Sequence, residues 1–220
     1  MIFKVKAIFY DYDGTLVDSK KVIFDGINLV SKSRGLPRIK TKELMNISGM
    51  PLLKGLETRF EGLTEEERKG WQTDFDAYMR KASMKYKLIA GTKDVLTYFR
   101  KKGAIQAIIT SAPRHQVDHD LSRFNLHEFL ELVISREDVD NHKPAPDSIL
   151  KALTSLKVSA EESLYVGDSY VDLAAGRRAG VRTIGVLTGF CDRGKLKEGD
   201  PDMIIDSVAD LQKVVEVIST

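Results

Sequence analysis

Two aspartates, Asp11 and Asp13, come directly after a short apolar run near the start of the chain. The run, residues 7–10, is typical of a strand buried on both faces, and open α/β sheets bind ligands just beyond such strand ends. Neither carboxylate can be buried alone, because an isolated charge in an apolar core is very costly. Taken alone, this stretch is explained equally well by a polar turn at Gly14 and by a cation site.

A second pair of carboxylates, Asp168 and Asp172, follows a later apolar run at residues 164–166. The two residues are four apart, so a helix places them one turn from each other on the same side. Capping of a helix explains one carboxylate, but not a pair beside a second pair. If the strand ends converge, four carboxylates surround one point and need a hard cation there. Oxygen ligands without a cysteine or histidine cluster favour Mg²⁺ over zinc.

Hydroxyl and ammonium groups follow two further apolar runs. Thr110 and Ser111 come at the end of one, where hydroxyls and backbone N–H groups suit an anion, above all phosphate. Lys143 opens a loop that Pro144 and Pro146 stiffen. Each group alone is explained by an ordinary helix cap or a surface charge. At converging strand ends, however, they would lie opposite the carboxylates.

The elements that must position these residues are alternating strands and helices. From residue 86 onward the two patterns alternate, which implies parallel strand pairing with right-handed crossovers. We therefore predict an α/β fold, a three-layer doubly wound parallel sheet with a Rossmann-like core. A helix is expected over residues 207–218. Further strands are predicted at residues 104–109, 132–134, 164–166, 183–187 and 203–205.

Residues 18–85 show helical periodicity and no strand pattern. Apolar residues recur at helical spacing from Val22, and Thr64 and Glu67 form a capping box that opens a further helix. The predicted core is therefore residues 1–17 together with 86–220, with an all-helical block inserted after the first strand.

Charge and composition exclude several classes of protein. The chain has 220 residues, a net charge of +2, 42% hydrophobic and 30% charged residues, so it gives no electrostatic reason to expect nucleic-acid binding. Its apolar runs are too short to span a membrane, and Lys4 and Lys6 interrupt any signal-peptide pattern. Because Cys191 is the single cysteine, no intramolecular disulfide can form, and a cytoplasmic location is expected. The sequence gives no oligomeric state.

Four motifs of the chain resemble, in order, those of the haloacid dehalogenase-like hydrolase superfamily. The helical block after the first motif is similar to the small helical cap domain of the phosphoglycolate phosphatase-like branch. The resemblance implies a Mg²⁺-dependent phosphatase that acts on small phosphorylated metabolites, such as phosphoglycolate-like compounds or sugar phosphates. The motifs are Asp11-Tyr-Asp-Gly-Thr-Leu-Val-Asp-Ser19, Thr110-Ser111, Lys143-Pro-Ala-Pro-Asp147 and Gly167-Asp-Ser-Tyr-Val-Asp172.

The same resemblance implies roles for the four aspartates. Asp11 would be the nucleophile that forms an aspartyl-phosphate. Asp13 would protonate the leaving alkoxide and then deprotonate the attacking water, while its backbone carbonyl binds Mg²⁺. Asp168 would bind Mg²⁺ directly, and Asp172 would act through a water or by orienting its neighbours. The implied metal site is therefore Asp11, Asp13, Asp168 and Asp172.

The resemblance also implies a phosphate site and a turn that reads the substrate. The hydroxyl of Thr110, the N–H of Ser111 and the ammonium of Lys143 would hold the phosphoryl oxygens, with Gly14 in support. A cap must place some loop over the site, and the turn expected to do so is Ser48, Gly49 and Met50.

Four other functions are compatible with parts of this pattern. Dehalogenases of the superfamily carry Tyr two residues after the nucleophile, whereas this chain has Asp13. Its phosphosugar mutases carry a His on the first cap helix, whereas this chain has Val22-Ile23-Phe24. Inorganic pyrophosphatase activity stays open. A phosphorylatable signalling domain combines the same residue types, but it has no inserted block and is much shorter.

Overall fold

The strands of this chain are short and mostly apolar. A computed structural model of the chain describes residues 2–48 and 52–218. The central strands are buried along their whole length, as parallel strands covered on both faces must be. The strands are β1 (Phe3–Val5), β2 (Ala7–Tyr10), β3 (Val17–Asp18), β4 (Lys87–Leu88), β5 (Ile105–Ile109), β6 (Leu132–Ile134), β7 (Ser163–Gly167), β8 (Arg182–Val186), β9 (Met203–Ile205) and β10 (Val215–Val217).

Several of the helices begin at a residue whose side chain caps the first turn. The helix over Glu65–Ala82 starts with the predicted capping box, in which the Thr64 hydroxyl accepts a hydrogen bond from the Glu67 N–H (3.2 Å). No helix within residues 2–48 and 52–218 is long and apolar enough to cross a membrane. The helices are α1 (Lys20–Ser33), α2 (Thr41–Ile47), α3 (Leu52–Arg59), α4 (Glu65–Ala82), α5 (Thr92–Lys101), α6 (Arg114–Phe124), α7 (Asp147–Leu156), α8 (Tyr170–Arg178) and α9 (Arg193–Lys197).

Six of the strands form one parallel sheet in the spatial order β6-β5-β2-β7-β8-β9. The first strand of the sheet, β2, lies in the middle, where Tyr10 is paired with Ile108 of β5 and with Val166 of β7. The strand order reverses beside β2, so the carboxyl ends of β5, β2 and β7 lie side by side at a topological switch point. The predicted α/β class with a parallel sheet is thus confirmed.

Helices cover both faces of the sheet, because successive side chains of a strand point to opposite sides. Ile8 and Tyr10 of β2 belong to one apolar cluster, which includes side chains of α5 and α6. Ala7 and Phe9 belong to another cluster, which includes side chains of α7 and α8. Two layers of helices therefore hold β2 from both sides and fix where its carboxyl end points.

Helices α1 to α4 lie between β3 and β4, two short strands that pair in antiparallel orientation. Helix α1 packs against α4, and α3 packs against α2 and α4. Trp71 of α4 is fully buried, its ring stacks on Phe75 with centroids 5.3 Å apart, and its indole N–H donates to the Ser31 hydroxyl (3.3 Å). The division into residues 1–17 with 86–220 and residues 18–85 stays a prediction.

The predicted helix over residues 207–218 is wrong. Residues Val208–Lys213 form a 3-10 helix, and β10 then runs parallel to β1, with Phe3 paired with Val215. The valines of this segment favour extended backbone, and β1 offers it an edge to pair with. The strand β10 has only three residues, so its sequence pattern was weaker than the helical spacing of apolar residues over 207–218.

A half-buried arginine connects the end of the helical segment to α6. The guanidinium of Arg123 donates to three backbone carbonyls of one turn, those of Ser83 (3.1 Å), Met84 (3.2 Å) and Tyr86 (3.2 Å). It also donates to the carboxylate of Asp120 (3.0 Å), whose side chain is fully buried. One side chain therefore pairs with one oxygen of the Asp120 carboxylate and bonds three carbonyls of the turn.

We expect Arg123→Met to lower the free energy of unfolding by about 3–5 kcal/mol, because it removes the guanidinium that pairs with the buried Asp120 carboxylate. Urea denaturation followed by circular dichroism measures this change. The control is Arg193→Met, which removes an ion pair of 3.6 Å to the exposed Asp206 and should cost less than about 0.5 kcal/mol. Equal effects of the two substitutions would contradict the assignment.

Candidate functional site

The Asp11 carboxylate lies one residue beyond β2 and is almost completely buried. The backbone N–H of Asp11 continues the ladder to β7 by donating to the Val166 carbonyl (2.8 Å), which fixes the direction of the side chain. The ammonium of Lys143 donates to Asp11 Oδ1 at 2.7 Å and to Asp172 Oδ1 at 2.5 Å. Three residues far apart in sequence thus form one buried charged cluster.

Asp172 is held by hydrogen bonds on both of its oxygens. Its Oδ1 contacts the Lys143 ammonium and the Tyr165 hydroxyl (3.1 Å). Its Oδ2 accepts from the N–H of Ser169 (3.1 Å) and from the hydroxyl of the same residue, which is the N-terminal cap of α8. Because its oxygens are already used in this way, Asp172 is well placed to position Lys143.

Asp168 follows β7 and is enclosed by two glycine-containing turns. Its Oδ2 accepts a hydrogen bond from the N–H of Phe190 (3.1 Å). A Cβ on Gly189 would lie 1.7 Å from this oxygen, and one on Gly14, whose φ is +82°, would lie 2.6 Å from it. Lys20, the first residue of α1, donates to the carbonyl of Gly189 (2.8 Å). These contacts hold the loop after β8 in close contact with the Asp168 carboxylate.

The carboxylates of Asp11, Asp168 and Asp172 form a cluster that fits a hard cation. One oxygen from each lies within 4.8 Å of the others. Burial raises the pKa of Asp11 to about 7 and that of Asp168 well above its usual value, and repulsion between the carboxylates adds to both shifts. Asp11 and Asp172 raise the pKa of Lys143 well above its usual value against the opposing effect of burial, so it stays charged. Only one ammonium faces the three carboxyl groups, so a further cation is needed to keep all three ionised at neutral pH, and oxygen donors suit Mg²⁺.

Asp13 lies apart from this cluster. Its Oδ1 is buried without a hydrogen-bond partner among the described residues. Burial raises the pKa of Asp13 to about 6, although the nearby Ser19 hydroxyl lowers it. A carboxyl group with a pKa near neutrality can both give and take a proton at physiological pH.

A cavity of about 150 Å³ brings most of the predicted site residues together. Thr110 is buried at its edge, and its hydroxyl accepts from the N–H of Ala112 (3.0 Å). The predicted residues Asp172 and Gly14 support the site from outside this lining. Gly49 and Met50 lie outside the described residues, whereas Ser48 lines the cavity and contacts Cys191 at 3.4 Å. The predicted residues that line the cavity are Asp11, Asp13, Ser48, Thr110, Ser111, Lys143 and Asp168.

Sequence reasoning missed three residues of this site. Tyr165 bonds both Lys143 and Asp172, and a tyrosine in a fully buried strand does need a polar partner. Phe190 donates its backbone N–H to Asp168 and also lines the cavity, and no sequence pattern reveals the backbone contact. Arg136 lines the cavity after β6, and its position at a strand end was the available signal.

The model of the haloacid dehalogenase-like hydrolase family matches residues 8–186 of this chain. The chain belongs to that family. It is therefore an enzyme of the hydrolase class, as the resemblance of its four motifs implied. The match includes every strand that contributes a residue to the buried cluster.

Relatives with names of known activities align over nearly their whole length. A protein of Caldanaerobacter subterraneus subsp. tengcongensis, provisionally named pyrophosphatase PpaX, is 32% identical over 97% of this chain and 96% of its own. Pyrophosphatase PpaX of Anoxybacillus flavithermus is 30% identical over 98% of this chain and 99% of its own. The conserved length shows that the helical segment is shared as well as the sheet.

Solved structures show the same fold. A haloacid dehalogenase-like hydrolase from Bacteroides fragilis, so described provisionally, superposes with a TM-score of 0.88 at 26% identity and covers 94% of this chain and 99% of its own. A predicted phosphoglycolate phosphatase from Haemophilus somnus 129pt superposes with a TM-score of 0.82 at 25% identity. It covers 96% of this chain and 97% of its own. Both cover the sheet and the helical segment.

The raised pKa of Asp11 makes the metal-free protein less stable as the pH rises. The folded chain holds this proton up to about pH 7, whereas the unfolded chain releases it near the ordinary aspartate pKa of 3.8. The free energy of unfolding therefore falls as the pH rises between these limits. We expect Asp11→Asn to remove part of this fall, about 1–3 kcal/mol.

Urea denaturation in EDTA at pH 5, 6, 7 and 8 measures the effect as the difference between variant and wild type. Asp206→Asn, at a side chain that is 84% exposed, is the matched control and should follow the wild type at every pH. A wild type that gains stability over this range by the same amount as Asp11→Asn would contradict the prediction.

Proposed function

We propose that this chain is a Mg²⁺-dependent phosphatase that hydrolyses small phosphomonoesters through an aspartyl-phosphate on Asp11. The observation that carries the proposal is the placement of Asp11, buried at the end of β2 with the Lys143 ammonium on one oxygen at 2.7 Å. Thr110 and Ser111 line the same cavity, where hydroxyl and N–H groups suit phosphoryl oxygens.

The proposed reaction has two in-line displacements. In the first, an Asp11 oxygen attacks phosphorus, the bond to the ester oxygen breaks, and the leaving alkoxide takes a proton from Asp13. In the second, Asp13 takes a proton from water, the resulting hydroxide attacks phosphorus, and the bond to Asp11 breaks. Lys143, Thr110 and Ser111 stabilise the charge on the phosphoryl oxygens throughout. Asp13 ends protonated, as it began, so the cycle closes.

Asp11 and Asp168 would hold Mg²⁺ with the backbone carbonyl of Asp13. The grouping of three buried carboxyl groups beside a single ammonium supports this assignment. Bound Mg²⁺ would keep Asp11 ionised and draw electron density from the phosphoryl group. Asp172 belongs to the same cluster, but its bonds to Lys143 and Ser169 support a positioning role.

Helices α1 to α4 would act as a cap over this site, because α1, α2 and α4 contribute side chains to the cavity wall. Ser48 is the described residue of the turn that was expected to read the substrate. A small phosphorylated metabolite is the proposed partner. The cytoplasmic location expected from the single cysteine, Cys191, stays a prediction.

Inorganic pyrophosphate is the second candidate substrate, and the names of the relatives at 30% and 32% identity favour it. The mutase alternative has no such support, since Val22-Ile23-Phe24 stand where a mutase carries its histidine. Membership of a hydrolase family likewise favours turnover over a stably phosphorylated signalling domain.

We expect Asp11→Asn to lower the turnover of an aryl phosphate by about 10³-fold or more, because an amide cannot form the phosphoenzyme. Release of the aryl alcohol in the presence of Mg²⁺ measures turnover, and circular dichroism verifies that the variant is folded. Asp206→Asn is the control for the substitution. Substantial activity in folded Asp11→Asn would refute the assignment of Asp11 as the nucleophile.

Mg²⁺ at one hundred times its dissociation constant should stabilise the wild type by about 2.7 kcal/mol, since it binds only the folded chain. Asp168→Asn should lose most of this gain, because it removes a carboxylate from the cluster. Urea denaturation with and without MgCl₂ measures both, with NaCl at matched ionic strength as the control. An equal gain in the free energy of unfolding of both proteins would mean that Mg²⁺ binds at a site without Asp168.

A further inference from the structure

The cavity beside Asp11 has a second polar region away from the carboxylate cluster. Apolar side chains of the helical segment, such as Ile27, Leu44 and Phe75, form much of its wall. Among this apolar surface lie Arg136, which follows β6, and Asp76 of α4. The Arg136 guanidinium on this largely apolar wall is a feature that the proposed two-step reaction does not use.

Arg136 and Lys143 are the two residues with permanently cationic side chains among the described residues that line this cavity. Lys143 is committed to Asp11 and Asp172 at 2.7 and 2.5 Å. The guanidinium of Arg136 lies 3.9 Å from Asp76 and 3.5 Å from Glu137, beyond the usual length of an N–H···O bond. Its neighbours therefore hold Arg136 loosely, and its planar fork suits an additional oxyanion.

The backbone holds Arg136 close to the proposed phosphate site. The N–H of Arg136 donates to the carbonyl of Ala112 (3.1 Å), two residues after Thr110. The turn that carries Arg136 is closed by Asp138, whose Oδ2 accepts from the N–H and the hydroxyl of Ser135, both at 2.7 Å. The guanidinium thus extends from a fixed turn that is hydrogen-bonded to the loop after β5.

The size and charge of the cavity limit what can reach both groups. A volume of about 150 Å³ is close to that of an apolar cavity that admits benzene, which has about six non-hydrogen atoms. Asp11, Asp13, Asp76 and Asp168 all line the cavity, so a substrate with a second negative charge needs a cation at its far end. Arg136 is the described group that can supply it, because Lys143 lies at the phosphoryl end of the cavity, against Asp11.

We infer that Arg136 is a specificity-determining residue that binds a second anionic group of the substrate. The substrate class is then compact phosphate compounds that carry another oxyanion a few bonds from phosphorus. A phosphate ester of a short hydroxy acid and inorganic pyrophosphate both belong to this class. The inference rests on the proposed function for the position of the phosphoryl group, and it adds the chemistry of the rest of the substrate.

The test compares two phosphonates that cannot be hydrolysed, phosphonoacetate and ethylphosphonate, which differ by a carboxylate in place of a methyl group. Isothermal titration calorimetry with Mg²⁺ measures their binding to the wild type, Arg136→Met and Arg136→Lys. We expect the wild type to bind phosphonoacetate about 30-fold more tightly than ethylphosphonate. Arg136→Met should reduce this preference to less than about threefold, and Arg136→Lys should keep an intermediate preference, since it retains charge without the fork.

The matched control is Glu137→Gln, which changes the other carboxylate beside Arg136 at a residue outside the cavity lining. It should keep the preference of the wild type. Equal affinities of the wild type for the two phosphonates, no binding of either, or an equal loss of both in Arg136→Met would overturn the inference. Turnover of phosphate esters by the wild type is assayed separately, so failure of the proposed function shows as absent turnover whatever the binding preference.

Discussion

The ammonium of Lys143, shared between Asp11 and Asp172, is the interaction on which the site depends. A buried ion pair is stable only when its geometry is good and its remaining polar atoms are hydrogen-bonded, because removal of both charges from water is costly. Asp172 meets this condition through Ser169 and Tyr165. Asp11 meets it only in part, since one ammonium cannot neutralise the whole carboxylate cluster. The fold therefore places more carboxyl groups than ammonium groups at the point where the proposed chemistry needs a metal ion.

The parallel sheet makes this concentration of charge possible. Its interior is apolar apart from a few satisfied groups, such as the Tyr10 hydroxyl, which donates to the side-chain carbonyl of Gln106 (2.9 Å). Polar side chains instead follow the carboxyl ends of three adjacent strands, β5, β2 and β7. Helices on both faces fix those ends, so the apolar packing of Ile8 or Phe9 also sets the position of Asp11.

Local patterns predicted the parallel sheet and the residues that directly follow its strands. Asp11, Asp168, Thr110 and Lys143 were found because strand ends of one sheet converge, which is a property of the fold class. Tyr165 and Arg136 were missed, since their roles depend on contacts with residues distant in sequence. The strand over Val215–Val217 was missed because its partner, Phe3–Val5, lies at the other end of the chain. The order of elements is thus readable from sequence, whereas long-range partners are not.

The glycines that press against Asp168 have a consequence for how this enzyme can diversify. At Gly14 and Gly189 even a methyl group would overlap the carboxylate, so these turns tolerate almost no variation. The cavity wall from α1, α2 and α4 carries no such restriction, because its apolar side chains can exchange for others of similar volume. Amino-acid substitutions are therefore tolerated better in the helical segment than beside the reacting groups. New substrates can be acquired by repacking one wall while the machinery beneath it remains intact.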